Sequence, residues 1–149
     1  MKLVVQRVTG ANVEVDDAVV GEIENGLMVL VGFGVNDGVE QADYLAKKLL
    51  KLRIFPDDEG RMNLSVKDIN GKLLLIPQFT LYASTKKNRP SFHKALNPDD
   101  ATKLFDYFVE KCSEEIEVET GEFGAYMKVN LLNDGPVTIL LEKDFSEDD

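Results

Sequence analysis

The sequence predicts an α+β class: a single domain over residues 1–149, built on a strand-rich mixed sheet or barrel-like core with two substantial helices. Three observations carry it. Valine-rich segments fill the chain from Lys2 to Phe33, punctuated by polar turn pairs. Two later segments repeat apolar residues at helical spacing. Turn signals are spread evenly, with no internal repeat and no low-complexity linker. With 149 residues, 44% of them hydrophobic, the chain closes one ordinary core and is short for two.

Strands are expected at Lys2–Val8, Asn12–Val15, Val19–Glu24 and Leu27–Phe33, with Asp16-Asp17 and Asn25-Gly26 between them. Asn25-Gly26 reads as a hairpin turn, because both residues tolerate positive φ. A helix follows: Asp37 and Glu40 stand at capping-box spacing, and Ala42, Leu45, Ala46, Leu49 and Leu52 form its apolar stripe. Its other face carries Lys47, Lys48 and Lys51. Phe55 to Gly60 reads as a loop, since Pro56 interrupts pairing and Asp57, Asp58 and Glu59 are poor strand formers. Three adjacent carboxylates could hold a hard cation, but their spacing matches no calcium loop, and a solvated turn is the plainer reading. Lys72 to Leu81 is almost unbroken in apolar residues, as a central strand buried on both faces would be. A second helix begins with Asn97 as cap and Pro98 in its first turn, and Ala101, Leu104, Phe105, Phe108, Val109 and Cys112 line one face. Strands at Tyr126–Leu132 and Val137–Glu142 then flank a tight connection at Asn133-Asp134-Gly135-Pro136.

Composition removes several chemistries. A net charge of −10 opposes nonspecific nucleic-acid binding, which needs a basic surface to displace counterions. The charge is uneven, though: the stretch from Glu142 to Asp149 is mostly acidic, while Lys86, Lys87, Arg89, His93 and Lys94 crowd one short segment. No apolar run approaches a membrane span and no secretory pattern opens the chain, so a soluble, cytoplasmic protein is expected. The lone Cys112 has no disulfide partner and falls on an apolar helix stripe, which marks it as structural rather than nucleophilic. A triad would need His93, the only histidine, and no nucleophile elbow accompanies it; His93 reads as a surface residue. One His and one Cys cannot make a zinc site, and Gly32-Phe33-Gly34 lacks the rest of a phosphate-binding loop. Neither a metal nor a cofactor is expected.

Two segments remain as carriers of function. In Pro77-Gln78-Phe79-Thr80-Leu81, Gln78 and Thr80 alternate with Phe79 and Leu81, giving either a polar face for a ligand or an ordinary outward face at a sheet edge. In Asn133-Asp134-Gly135-Pro136-Val137-Thr138, Gly-Pro is either hairpin punctuation or, if cis, a rigid pair of carbonyls pointing the same way.

The sequence resembles the D-aminoacyl-tRNA deacylase family. Val4-Val5-Gln6-Arg7-Val8 is similar to its start, and Arg53-Ile54-Phe55, Met62-Asn63-Leu64-Ser65 and Arg89-Pro90-Ser91-Phe92 to its middle. Gly121-Glu122-Phe123-Gly124-Ala125-Tyr126-Met127 is similar to the stretch before its final strands. The similarity runs in order from Met1 to about Leu141. It implies a homodimeric ester hydrolase that frees tRNA from D-amino acids, and possibly from glycine, without a cofactor. The motif of one subunit would face Gly135 and Pro136 of the other, a cross-subunit filter that leaves room for hydrogen at the α-carbon and collides with an L side chain. Gln78, Phe79 and Thr80 would be catalytic, with Phe123 and Met127 beside the substrate. Lys86, Lys87 and Arg89 would meet tRNA phosphates. The backbone NH groups of Phe79 and Thr80 would hold the oxyanion; the attacking group would be water, a ribose hydroxyl or, less readily, Thr80, which has no evident base. One residue departs from the family: Pro77 stands where serine is usual, removing a hydroxyl and a backbone NH. A nonenzymatic RNA-binding or ribosome-associated dimer module is the competing reading, suited by the basic segment and not by the acidic total. A purely structural dimer is the third.

Overall fold

The computed structural model describes residues 1–145, so part of the acidic stretch read from Glu142 to Asp149 lies outside the described residues. In chain order the elements are β1 (Lys2–Val15), β2 (Ala18–Ile23), β3 (Gly26–Gly32), α1 (Val39–Lys51), β4 (Phe55–Pro56), β5 (Met62–Leu64), β6 (Lys72–Pro77), a 3-10 turn (Phe79–Tyr82), α2 (Pro98–Ser113), β7 (Val118–Thr120) and β8 (Lys128–Glu142).

A 6-stranded mixed sheet organises the molecule: β1 pairs antiparallel with β2, β3 and β8, while β3, β6 and β7 run parallel. Parallel neighbours cannot be joined by a tight turn, and α1 and α2 supply the two crossovers. The sheet curls until Gly21 in β2 lies against the Thr120 carbonyl of β7. The result is a nearly closed, barrel-like core in one α+β domain.

That curl explains the apolar run of β6. Leu73 and Leu75 point into the cluster under the helices, with Leu3, Val5, Val29, Leu45, Leu49 and Phe108. Leu74 and Ile76 point into the curl, with Val8, Val13, Ile23 and Met28. Both faces are dry, so alternation disappears. The two helices bury the expected stripes, with Leu52 as the residue that ends α1. Asn97 caps α2 as expected, its side-chain oxygen accepting the Asp100 NH at 3.0 Å. At α1 the cap differs: the Gln41 side chain accepts the Gly38 NH at 2.8 Å, while the Asp37 carboxylate accepts the Gly34 NH and pairs with the Met1 amino group. Cys112 is fully buried, and burial pushes its thiol up to about 12, so it stays protonated at neutral pH.

Several local expectations give way. Lys2–Val8 and Asn12–Val15 are one strand of 14 residues. It faces first β3 and then β2 in one register as far as Val13, with Lys2 opposite Gly32, Val8 opposite Gly26 and Ala11 opposite Ile23, before a shift at Glu14. The reversal is made by Asp16 and Asp17, both at positive φ. The chain therefore runs straight through Asn25-Gly26, which is not a hairpin. Gly26 serves another purpose: a Cβ there would lie 1.9 Å from the Lys72 carbonyl oxygen, where β3 enters its parallel pairing with β6. Phe55 and Pro56 are not wholly loop either, since they pair with Leu64 and Met62. Asp57 closes the turn between them by accepting the NH groups of Arg61 and Glu59; the Arg61 bond is the largest cause holding its carboxyl below the usual range. Among the described residues no group of three or more His, Cys, Asp or Glu is placed to hold a metal ion.

The close approach at Gly26 is testable. Gly26→Ala is expected to cost about 2–3 kcal/mol through overpacking, read as a lower urea midpoint; an unchanged midpoint would contradict it.

Candidate active site

The β6 strand stops at Pro77 rather than running on to Leu81. Gln78 still donates its backbone NH to Val31 of β3 at 2.8 Å, and the chain then turns through a single 3-10 turn. Backbone NH groups in a strand point alternately to either side. Residue 77 therefore faces the β7 side, where pairing has already ended at Thr120 beside Leu75. No ladder bond is lost by having proline there. The alternation of Gln78 and Thr80 on a strand face is accordingly replaced by a turn, with Phe79 and Thr80 exposed and Gln78 half-buried.

The turn has chemical consequences. The first NH groups of a helical turn have no acceptor within it. Among the described residues, no backbone acceptor takes the NH of Phe79 or of Thr80. The Gln78 side-chain amide donates to the Thr80 hydroxyl oxygen. That hydroxyl keeps its own proton to give, and no basic side chain bonds it. The turn is seated on β3 because Gly32 has no side chain: a Cβ there would lie 2.9 Å from Leu81 Cβ.

Beside the turn, Val31, Phe33, Pro77, Gln78, Phe79, Leu96, Ala101, Phe123 and Gly124 enclose a cavity of about 70 Å³. Phe123 forms its wall and leans on Phe105 of α2, with ring centres 6.2 Å apart. Met127 does not line it; its sulfur covers Gly121 next to Ile76. Lys86, Lys87 and Arg89 are exposed in the loop that follows, which is closed by reciprocal backbone bonds between Ser84 and Ser91. Phe92 stands edge-on to Phe79 at 4.9 Å and ties that basic loop to the turn. His93 is exposed, as expected, and bonds only Ser91, at 3.2 Å.

The second motif is not a reversal. Tyr126–Leu132 and Val137–Glu142 belong to a single direction of chain, and Asp134-Gly135-Pro136-Val137 forms a bulge inside the 15-residue β8. Pairing with β1 jumps there, from Gln6 opposite Thr138 to Val8 opposite Asn133. The Gly135–Pro136 bond is cis, and Gly135 has φ 141°. Two side chains hold the bulge. Asn133 accepts the Val137 NH at 2.7 Å and donates to Gln6, while Arg7 donates through Nε to the Asp134 carbonyl at 2.9 Å and through Nη1 to the Ile54 carbonyl at 2.7 Å.

Within one chain the two motifs stay apart. Pro77 is opposite Val31 and Val31 opposite Leu3, so the bulge near Arg7 lies roughly 14 Å along β1 and three strand spacings, again roughly 14 Å, across the sheet. Gln78, Phe79, Thr80, Phe123 and the basic loop are brought together; Gly135 and Pro136 are not among them.

The sequence model of the D-Tyr-tRNA(Tyr) deacylase family matches residues 4–142. The chain belongs to that family. A D-aminoacyl-tRNA deacylase of Thermosipho melanesiensis is 55% identical over 145 residues, covering 95% of this chain and 97% of that protein. One from Clostridium perfringens is 54% identical over 144 residues, with the same coverage. The solved structure of the c-Myc DNA unwinding element binding protein matches with a TM-score of 0.93 at 38% identity, over 97% of this chain and 100% of that one. A probable eukaryotic D-amino acid tRNA deacylase, 19% identical, shares the fold at a TM-score of 0.81 over 94% and 97% of the two chains.

Sequence reading gave no role to Arg7 or Asn133, the two anchors of this deacylase-family bulge. The signal for Arg7 was a long cation amid the apolar residues of a strand, and its side chain is only 12% exposed. Arg7→Met is expected to cost about 2 kcal/mol, the range for hydrogen bonds to a charged group, and to speed amide exchange at Val137. Unchanged exchange there would mean that Asn133 holds the bulge alone.

Proposed function

We propose that this chain hydrolyses the ester of D-aminoacyl-tRNA to free tRNA and D-amino acid, as a cytoplasmic homodimer whose site is completed across the subunits. The family match over residues 4–142 carries the reaction. The separation of the two motifs in one chain supports the dimer, because neither can serve the other without a second copy. β8 offers a surface for it: among the described residues its second edge has no partner strand, and Leu132 and Leu140 are each 67% exposed.

In this reading the acyl carbonyl lies over the 3-10 turn. As water attacks the carbonyl carbon and passes its proton through the neighbouring ribose hydroxyl towards the leaving oxygen, negative charge gathers on the carbonyl oxygen and is taken up by the Phe79 and Thr80 NH groups. Each such donor is worth about 2.7–4 kcal/mol. The C–O bond to the terminal ribose then breaks and the leaving oxygen takes the proton. Thr80 acts as a donor, since the Gln78 amide occupies its oxygen and no base stands by to activate it. Ribose-assisted attack asks least of the protein.

Gly135 and Pro136 of the partner would inspect the α-carbon from the opposite side. Fixed backbone there tolerates hydrogen and collides with an L side chain, while a D side chain points elsewhere. Glycine, lacking a side chain, passes the same filter. Phe123 would meet the substrate side chain, with Met127 behind the wall. Lys86, Lys87 and Arg89 would take phosphates at the pocket mouth.

Nucleic-acid binding without catalysis is the second reading, favoured by the likeness to the c-Myc DNA unwinding element binding protein at 38% identity. Matched D-tyrosyl-, glycyl- and L-tyrosyl-tRNA separate the two. The deacylase reading predicts enzyme-dependent loss of the D and glycyl esters with the L ester spared; binding of all three with no ester lost would leave the binding module. Ribose assistance predicts that a substrate without the neighbouring hydroxyl is cleaved at least about 100-fold more slowly, the scale of acid–base assistance. Equal rates would reject it.

A further inference from the structure

A second basic surface lies away from the motif. Tyr44, Lys47, Lys48, Lys51, Leu52 and Arg53 line an open groove of about 420 Å³ on the outer side of α1, without one carboxylate among them. Lys143 marks one end of it, its Nζ 5.0 Å above the Tyr44 ring. In a chain of net charge −10 such a cluster is out of character.

Intramolecular pairing does not account for it. Lys67 and Lys72 are paired with Glu115 and Glu117, whereas Lys47, Lys48 and Lys51 have no ion pair among the described residues. Asp43, four residues before Lys47, takes the Tyr107 hydroxyl at 2.7 Å instead. Lys47 and Lys51 are four apart, and Lys48 and Lys51 three apart, so they repel one another along the helix. The negative end of the α1 dipole favours Lys48 and Lys51. It does not explain Lys47, a turn earlier; Arg53, beyond the helix, is engaged by Asn63, to whose carbonyl it donates through Nε at 2.9 Å.

Position gives the cluster its meaning. Arg53 precedes Ile54, whose carbonyl is bonded by Arg7, and Arg7 also bonds Asp134. One end of the groove is thus a single side chain from the Gly135–Pro136 bulge, and the other end meets Lys143, just past the end of β8. We propose that this groove is a second tRNA-backbone site, occupied by phosphates of the tRNA whose ester lies in the partner's pocket. One tRNA would then be held by the Lys86–Arg89 loop of one subunit and the α1 ridge of the other. Tyr44 offers a face on which an unpaired base can stack. The inference rests on the cross-subunit reading of the site.

The test is a salt series of binding to uncharged tRNA with Lys47→Gln, Lys48→Gln and Lys51→Gln combined. Three lost phosphate contacts should flatten the plot of log K against log salt by about 2, at roughly 0.7–0.9 per contact, and weaken binding at low salt by at least about tenfold. The same three positions as arginine should retain the slope, and both variants should keep the thermal midpoint and hydrolyse D-tyrosyl-adenosine at the wild-type rate. An unchanged slope in the glutamine variant would overturn the proposal. So would an unchanged slope with a shifted monomer–dimer equilibrium, which would give the groove to the partner chain. Binding is read without catalysis, so a wild type that binds tRNA and spares the small ester would count against the deacylase reading alone.

Discussion

A strand of 14 residues leaves two rows of backbone donors and acceptors to satisfy, and β1 satisfies them with different partners. On one edge lie β3 and β2, an almost continuous arm folded back at Asp16-Asp17. On the other lies β8, paired from Lys2 opposite Glu142 to Glu14 opposite Lys128. Excess residues in β8 loop out against β1, and the register moves across them, from Gln6 opposite Thr138 to Val8 opposite Asn133. The Gly135–Pro136 bulge is that excess, and Arg7, projecting from the same strand, holds its carbonyl side. The curl of the sheet follows from the same strand, since β2 must reach β7 to close over Leu74 and Ile76.

Helices and central strands were legible because their signals are local. Leu45, Ala46 and Leu49 share a face by spacing alone, and Leu73 to Ile76 declare burial on both sides with no partner specified. The two motifs could be picked out by their odd polar and turn residues. Their shapes could not. Gly-Pro after Asn-Asp has the chemistry of a turn whether the chain reverses or bulges, and only the opposing strand decides. Asn25-Gly26 misleads for the same reason: its glycine answers to the Lys72 carbonyl, which is distant in sequence. Pro77 ends β6, and the strand direction shows why proline is tolerated there.

Electrostatics and geometry meet at the site. An acidic chain can still hold a polyanion if its cations are local and unpaired, and among the described residues those of the Lys86–Arg89 loop and Lys47, Lys48 and Lys51 of α1 have no ion pair, because counterion release depends on the surface in contact rather than on the total. The cavity beside Phe79 is small, about 70 Å³. In the proposed reading, catalytic donors, specificity element and backbone contacts fall on two chains, and stability of the dimer would be part of the activity.

In the proposed complex the ester lies between the 3-10 turn of one chain and the Gly135–Pro136 bulge of another. A crystal structure of the protein with a non-hydrolysable D-tyrosyl analogue of the terminal adenosine tests this placement. The acyl oxygen is expected within hydrogen-bond reach of the Phe79 and Thr80 NH groups, and the α-carbon against Gly135 and Pro136 of a second chain. An analogue bound within one chain, with that bulge facing solvent, would contradict it.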